Sequence, residues 1–271
     1  MNTPKNKFKE WFAERRKPVP LGTWMMTGSA SVAEAIGFVG FDFLVMDMEH
    51  VPIDIKDAID IMRALEGTPT KEILTRIPWN DPVTVKRIMD AGANSLMFPF
   101  IQTKEEAEKA VNSTRYPASG NQGIRGMAAV HRASRFGQYT DYFKVANENI
   151  CVVLQLETPS ALENMKEIAS VPGVDALFIG PGDLAANMHH IGEITDPAVQ
   201  KALEEGLKKC HELGKPCGIV GGNPELVKKY IEWGFDFVAI ASDMSMMIAR
   251  AKEQISAVRN EDKKISGGAV Y

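Results

Sequence analysis

Cysteine is scarce in this sequence: Cys151, Cys210 and Cys217 are the whole set, odd in number and without the paired spacing of a thiolate metal site. That argues against a disulfide framework and a Cys-ligated zinc centre, and fits buried, reduced thiols. No uninterrupted apolar stretch is long enough to span a bilayer. The opening Met1 to Lys17 is polar and charged, without the apolar core of a secretion signal, so a cytoplasmic protein with no membrane partner is expected. An excess of positive charge is missing as well. The 31 Lys and Arg stand against 35 Asp and Glu, for a net charge of -4, and Arg15-Arg16-Lys17 is too short to hold nucleic acid. A dinucleotide fingerprint is absent too: the glycines of Gly22-Thr23-Trp24-Met25-Met26-Thr27-Gly28 are wrongly spaced for one. This weighs against a doubly wound sheet, the main alternative among α/β folds.

What is present is a regular alternation. The chain of 271 residues is 45% hydrophobic, enough for a full-sized core. Eight strand-like runs stand out: Leu21 to Met25, Phe41 to Met46, Glu72 to Ile77, Ser95 to Phe98, Ile150 to Leu156, Ala176 to Ile179, Cys217 to Val220 and Phe235 to Ile240. Each is followed by an amphipathic pattern: Ser31 to Val39, Asp54 to Leu65, Asp81 to Asp90, Lys104 to Ser113, Ser160 to Ala169, Pro197 to Leu213, Pro224 to Trp233 and Ser245 to Val258. Eight units of roughly 30 residues predict an α/β fold of the (β/α)8 TIM-barrel type. Gly37, Gly40, Gly92, Gly173, Gly214 and Gly234 fall where helices should end. The expected organisation is a helical extension over 1–19, with Phe8, Trp11 and Phe12 closing the barrel floor, the barrel over 20–260, and a polar tail over 261–271. The connection from Arg115 to Asn147 is too long for a plain loop and is expected to be functional or subunit-bridging.

Catalytic groups of such barrels come from the C-terminal ends of different strands. Strand two ends in Asp47-Met48-Glu49-His50, strand three in Thr75-Arg76, strand five in Gln155-Leu156-Glu157 and strand six in Gly180-Pro181-Gly182-Asp183. Glu157 and Asp183 offer two hard oxygen ligands for a divalent cation, with Mg²⁺, Mn²⁺ and Co²⁺ equally suited; Asp183 taken alone is as readily a helix N-cap. His50, on a turn before Val51-Pro52, has the pKa a proton-transfer group needs, and Asp47 or Glu49 could orient its ring. Arg76 presents a planar fork to a carboxylate or a developing enolate, the plainer alternative being an ion pair with Glu49. Asp90 lies in the last turn of its helix, where the dipole disfavours an anion; it is either solvated or paired with something distant. Gly180-Pro181-Gly182 lets backbone N–H groups approach a substrate carboxylate, and Gly221-Gly222-Asn223 offers a similar nest, though Asp243 beyond the last strand argues against phosphate there. His189-His190 has a weak claim to a second metal against an ordinary solvated loop. No strand carries a lysine at its exit end, since Lys71 and Lys215 precede theirs. A Schiff-base mechanism, which needs such a lysine, is thereby disfavoured, and any electron withdrawal would fall to a metal.

The stretches Asp47-Met48-Glu49-His50, Arg76-Ile77-Pro78-Trp79-Asn80-Asp81-Pro82, Arg115-Tyr116-Pro117, Gly123-Ile124-Arg125-Gly126, Gln155-Leu156-Glu157-Thr158 and Phe178-Ile179-Gly180-Pro181-Gly182-Asp183-Leu184 together resemble the class II, metal-dependent pyruvate aldolases typified by 4-hydroxy-2-oxoheptanedioate aldolase and 2-dehydro-3-deoxyglucarate aldolase. The resemblance covers about residues 20 to 260. It implies a carbon-carbon lyase of aromatic or sugar acid catabolism that cleaves a 4-hydroxy-2-oxo acid reversibly to pyruvate and an aldehyde, through a pyruvate enolate stabilised by the metal. It also implies Glu157 and Asp183 as metal ligands, His50 as base, Arg76 as transition-state stabiliser, Asp90 raising the basicity of His50, and Gln155, Gly182 and Asp183 on the substrate. A homohexamer with sites near subunit boundaries is the implied assembly. Ser119 to Gln122 lengthen the segment before Arg125, and Gly182 stands where many relatives carry Ala or Ser. The longer loop leaves the aldehyde open. Oxaloacetate decarboxylation and acyl-CoA cleavage are the alternative chemistries for such a site, and a non-catalytic barrel is the alternative to both.

Overall fold

The structure is a computed structural model, and it describes residues 1–259; the tail expected over 261–271 lies outside the described residues. Eight parallel strands close into a barrel in sequence order. They are β1 Leu21–Met25, β2 Phe43–Asp47, β3 Glu72–Arg76, β4 Ser95–Phe98, β5 Cys151–Leu156, β6 Ala176–Ile179, β7 Cys217–Gly221 and β8 Phe237–Ser242. The helices in chain order are α1 Lys7–Glu14, α2 Ala30–Gly37, α3 Ile55–Glu66, α4 Pro82–Ala91, α5 Lys104–Thr114, α6 Tyr142–Val145, α7 Pro159–Glu163, α8 Met165–Ala169, α9 Pro181–Asn187, α10 Pro197–Glu212, α11 Pro224–Trp233 and α12 Asp243–Arg259. The (β/α)8 barrel and its eight strands are as the periodicity predicts.

Strands β2 and β8 begin two residues later than predicted, at Phe43 and Phe237, and the reason is chemical. Asp42 and Asp236, just before them, accept from the N–H groups of Leu21 and Cys217 on neighbouring strands. Asp175 does the same for Val152. Each acid also takes a cation from α1 or the turn after it: Arg16 pairs with Asp42, Arg15 with Asp236 and Lys9 with Asp175. Phe8 and Phe12 of α1 enter the innermost core beside Phe43 and Phe237, at centroid distances of 5.4 and 5.0 Å. The floor is therefore apolar at its centre and ionic at its rim. Gly22 and Gly218 make room for these large rings, since a Cβ on either would collide with Phe43 or Phe237.

The predicted helix over Ser160 to Ala169 breaks into α7 and α8 at Asn164, whose side-chain amide donates to the Gln102 carbonyl. Of the six glycines expected at helix ends, Gly37 keeps a negative φ while the other five adopt positive φ. Within the long connection, a 3₁₀ turn over Arg132–Ser134 and α6 supply the only regular structure among the described residues. Helix α12 buries only Asp243, leaving Met247, Ile248, Ile255 and Val258 exposed. Among the described residues no helix is long and apolar enough to cross a membrane.

Candidate active site

The register of the barrel builds the centre of the site. Asp47 and Arg76 are Cα partners at the ends of β2 and β3, so both side chains project the same way from adjacent strands. Arg76 Nε and Nη2 donate to the two carboxylate oxygens of Asp47 at 2.9 and 2.6 Å, a bidentate fork. Its third nitrogen, Nη1, lies 2.9 Å from Glu49 Oε2, and its guanidinium sits 5.2 Å over the Trp24 ring. The ion pair with Glu49 weighed for Arg76 is thus present, and the bond to Asp47 is the stronger one. Both members of that pair are buried, at 2% and 0% side-chain exposure.

Asp47 has a second duty. Its Oδ1 accepts from the N–H groups of Glu49 and His50, an Asx turn that ends the strand and throws His50 outward. The His50 ring is half exposed, with Nε2 3.8 Å from Glu49 Oε2. Of the two acids considered for orienting the ring, Glu49 is the one in reach, and Asp47 acts on the backbone. Burial raises the Glu49 carboxyl above its ordinary value, against the pull of Arg76 and His50.

Glu157, at the exit of β5, is buried at 3% exposure and gripped at both oxygens. Gln155 Nε2 donates to Oε1 at 2.6 Å and the Phe100 N–H donates to Oε2 at 3.0 Å. Burial first, then the charges of Asp183 and Glu49, push its carboxyl up to about 8. Asp183 occupies the third position of α9, whose N-cap is Gly180 and whose first residue is Pro181, so the capping alternative for Asp183 does not apply. The backbone N–H groups of Gly182 and Asp183 lie in the first turn, without intrahelical acceptors. Gly180 matters sterically: a Cβ there would overlap Glu157 Oε1 and lie 2.8 Å from its Cγ.

The residues fit a divalent cation. Among the described residues neither Glu157 nor Asp183 has a cationic partner within ion-pair distance, and burial together with the negative charge of Asp183 and Glu49 disfavours the ionised form of Glu157, a penalty that a cation would relieve. The buried Gln155 Oε1, also without a partner, is a further hard oxygen in the same place. With Glu157 as a ligand the cation would have to displace its proton, so Mn²⁺ affinity would fall about tenfold for each pH unit below about 8. Calorimetric titration between pH 6 and 9 measures this, and a flat affinity would mean that no Glu157 proton is displaced on binding. For the metal-free protein the linkage has the opposite sense. The folded state keeps a proton that the unfolded chain releases near 4.5, so this stabilisation is complete below that value and lost as pH rises through about 8.

Asp90 is not brought to His50 within one chain. It lies in the last turn of α4, at the floor end of the barrel, where its carboxylate accepts from Arg125 Nη2 at 2.7 Å and stands 3.8 Å from His131 Nε2. The charge that is unfavourable for the helix dipole therefore does have a partner, in the long connection. Elsewhere, Asn223 caps α11, accepting from the Leu226 N–H, and Asp243 accepts from Met26 and Thr27 to latch β8 to the exit of β1. His190 approaches Glu193 and Asp196 at 3.5 and 3.4 Å in a partly exposed loop, the metal-like grouping of three that the described residues contain. Lys215 donates to the Val174 carbonyl near the entry of β6, at the opposite end of the strands from the site. Phe100 was not foreseen as a site residue, because its contribution is a backbone N–H in a left-handed conformation, which no side-chain pattern announces.

Comparison with known proteins bears on the family and the fold. A family model described as HpcH/HpaI aldolase/citrate lyase matches residues 21–249. The chain is 48% identical over 257 residues to 2-dehydro-3,6-dideoxy-6-sulfogluconate aldolase of Pseudomonas putida, covering 95% of this chain and 99% of the relative. It is 42% identical over 241 residues to 5-keto-4-deoxy-D-glucarate aldolase of Escherichia coli O139:H28, covering 89% and 92%. Among solved structures, an HpcH/HpaI aldolase/citrate lyase family protein from Burkholderia cenocepacia J2315 superposes with a TM-score of 0.89 at 36% identity, over 94% of this chain and 99% of that one.

Proposed function

The chain belongs to the HpcH/HpaI aldolase/citrate lyase family and is an aldolase, and from this we propose that it cleaves an acidic, sugar-derived 4-hydroxy-2-oxo acid reversibly to pyruvate and an aldehyde. The observation that carries the reading is the juxtaposition, at one barrel mouth, of two carboxylates without cationic partners among the described residues and a rigidly forked arginine. Glu157 and Asp183 would hold Mg²⁺, Mn²⁺ or Co²⁺. That ion supplies Lewis-acid withdrawal of electrons from the keto oxygen.

The chain's own groups do the rest. The first-turn N–H groups of Gly182 and Asp183, and the second N–H of Gln155 Nε2 beside the one given to Glu157, receive the substrate carboxylate and keto group. Arg76 stabilises the negative charge that develops on the C2 oxygen, and its bonds to Asp47 and Glu49 hold it in place beforehand. His50, directly or through water, takes the C4 hydroxyl proton as the C3–C4 bond breaks and serves the methyl proton of pyruvate in the reverse direction. Asp90 can raise the basicity of His50 only from a second copy, so we assign it that role in a homo-oligomer, of hexameric form as the resemblance implies. Ile124, Met127, Val130 and Phe136, all exposed in the long connection, support a subunit contact there.

A panel of 4-hydroxy-2-oxo acids, assayed for pyruvate after EDTA treatment and again after added Mn²⁺, tests reaction and metal together. Pyruvate release that EDTA abolishes and Mn²⁺ restores is expected. Release that survives EDTA would reject the metal, and CO₂ without aldehyde would reject aldol cleavage.

A further inference from the structure

The turn after β4 is unusual in its backbone. Phe100 follows Pro99 with φ +53, a left-handed conformation that L-residues with a Cβ adopt at a cost. The conformation has a result: the Phe100 N–H points at Glu157 Oε2, 3.0 Å away. The following N–H groups are committed too, Ile101 to the Gln155 carbonyl and Gln102 and Thr103 to the Glu106 carboxylate. The Gln102 side chain accepts from Thr158 just past β5. The whole turn is thus stitched to the exit of β5, and Phe100 is its contact with the buried carboxylate. The Phe100 ring stacks on Trp79 at 6.2 Å, on the surface side of the turn.

We propose that Phe100 is a positioning residue for the metal site: its strained backbone, and not its ring, directs an N–H that fixes the Glu157 carboxylate in the orientation a divalent cation requires. Gln155 Nε2 holds the other oxygen, and the space left by Gly180 admits the group. A carboxylate held at both oxygens loses little freedom when it takes a ligand, which is the benefit of preorganisation. This inference rests on reading Glu157 as a metal ligand.

The test replaces Phe100 by phenyllactic acid through nonsense suppression, which deletes the N–H and keeps the ring, and measures Mn²⁺ binding by calorimetry. The ester variant is expected to bind about tenfold more weakly, as befits the loss of one charge-assisted hydrogen bond. Phe100→Gly keeps the N–H, adopts the left-handed backbone freely and loses the ring, and should bind within about twofold of the wild type. An ester variant that binds like the wild type, or a folded Phe100→Gly that loses tight binding, would overturn the proposal. Should the ester variant fail to fold, Phe100→Gly decides: retained affinity upholds the backbone role and loss rejects it. Glu157→Gln separates the two layers. If it binds Mn²⁺ normally, the underlying metal assignment fails; if it does not bind while the ester variant does, the Phe100 inference alone fails.

Discussion

Arg76→Ala is expected to lower kcat/KM for aldol cleavage by about 10²–10³-fold and, in the same variant, to destabilise the barrel by about 3–5 kcal/mol. The first effect is the loss of a donor preorganised for charge that develops in the transition state. The second follows from burial: Asp47, with 0% side-chain exposure, and Glu49 would be left without their cation. Sequence alone suggests a variant that merely loses activity, because Arg76 there looks like a residue aimed at substrate; its 2% exposure and double anchorage make it a structural ion as well. The two effects separate by measurement. Arg76→Lys keeps the charge but not the fork, so it should recover much of the stability in urea melts and little of the rate. A folded Arg76→Ala enzyme with wild-type kcat/KM would remove Arg76 from the reaction.

Most of the barrel and most of its mouth are legible in the sequence because both are written in local patterns. Strand and helix alternate with distinct periods, and strand ends announce themselves through the charged residues Asp47, Arg76, Glu157 and Asp183. What escapes is decided by contacts far apart in the chain. Arg15, Arg16 and Lys9 reach Asp236, Asp42 and Asp175 only once the barrel has closed, and the starts of β8 and β2 shift with the first two. The partner of Asp90 lies 35 positions on, in a connection with almost no regular structure to predict. A left-handed Phe100 runs against residue preference, so only tertiary hydrogen bonding can place it there. Gly180 is intermediate: sequence marks it as a place where backbone approaches a ligand, whereas the structure shows it clearing space for a side chain.

That space makes Gly180→Ala the sharpest probe of the metal reading. At φ -82 alanine meets no backbone penalty, so its cost is steric alone. The new Cβ would overlap Glu157 Oε1, lie 2.8 Å from Glu157 Cγ and 3.0 Å from Gln155 Nε2. Neither neighbour yields easily, since Glu157 is buried at 3% exposure and tethered by Gln155 and Phe100. Relief requires the carboxylate to swing away, breaking one or both tethers and moving its oxygens from Asp183. Mn²⁺ affinity is therefore expected to fall by about 10²-fold or more, as loss of an anionic ligand or its support does, and kcat/KM with it. The barrel core is untouched, so far-UV circular dichroism should be unchanged and the melting temperature should drop by only a few degrees, about the effect of 1 kcal/mol. The contrast with Arg76→Ala is diagnostic, because there stability and rate fail together and here the rate fails almost alone. Wild-type Mn²⁺ affinity in a folded Gly180→Ala protein would mean that the cation is held somewhere other than at Glu157.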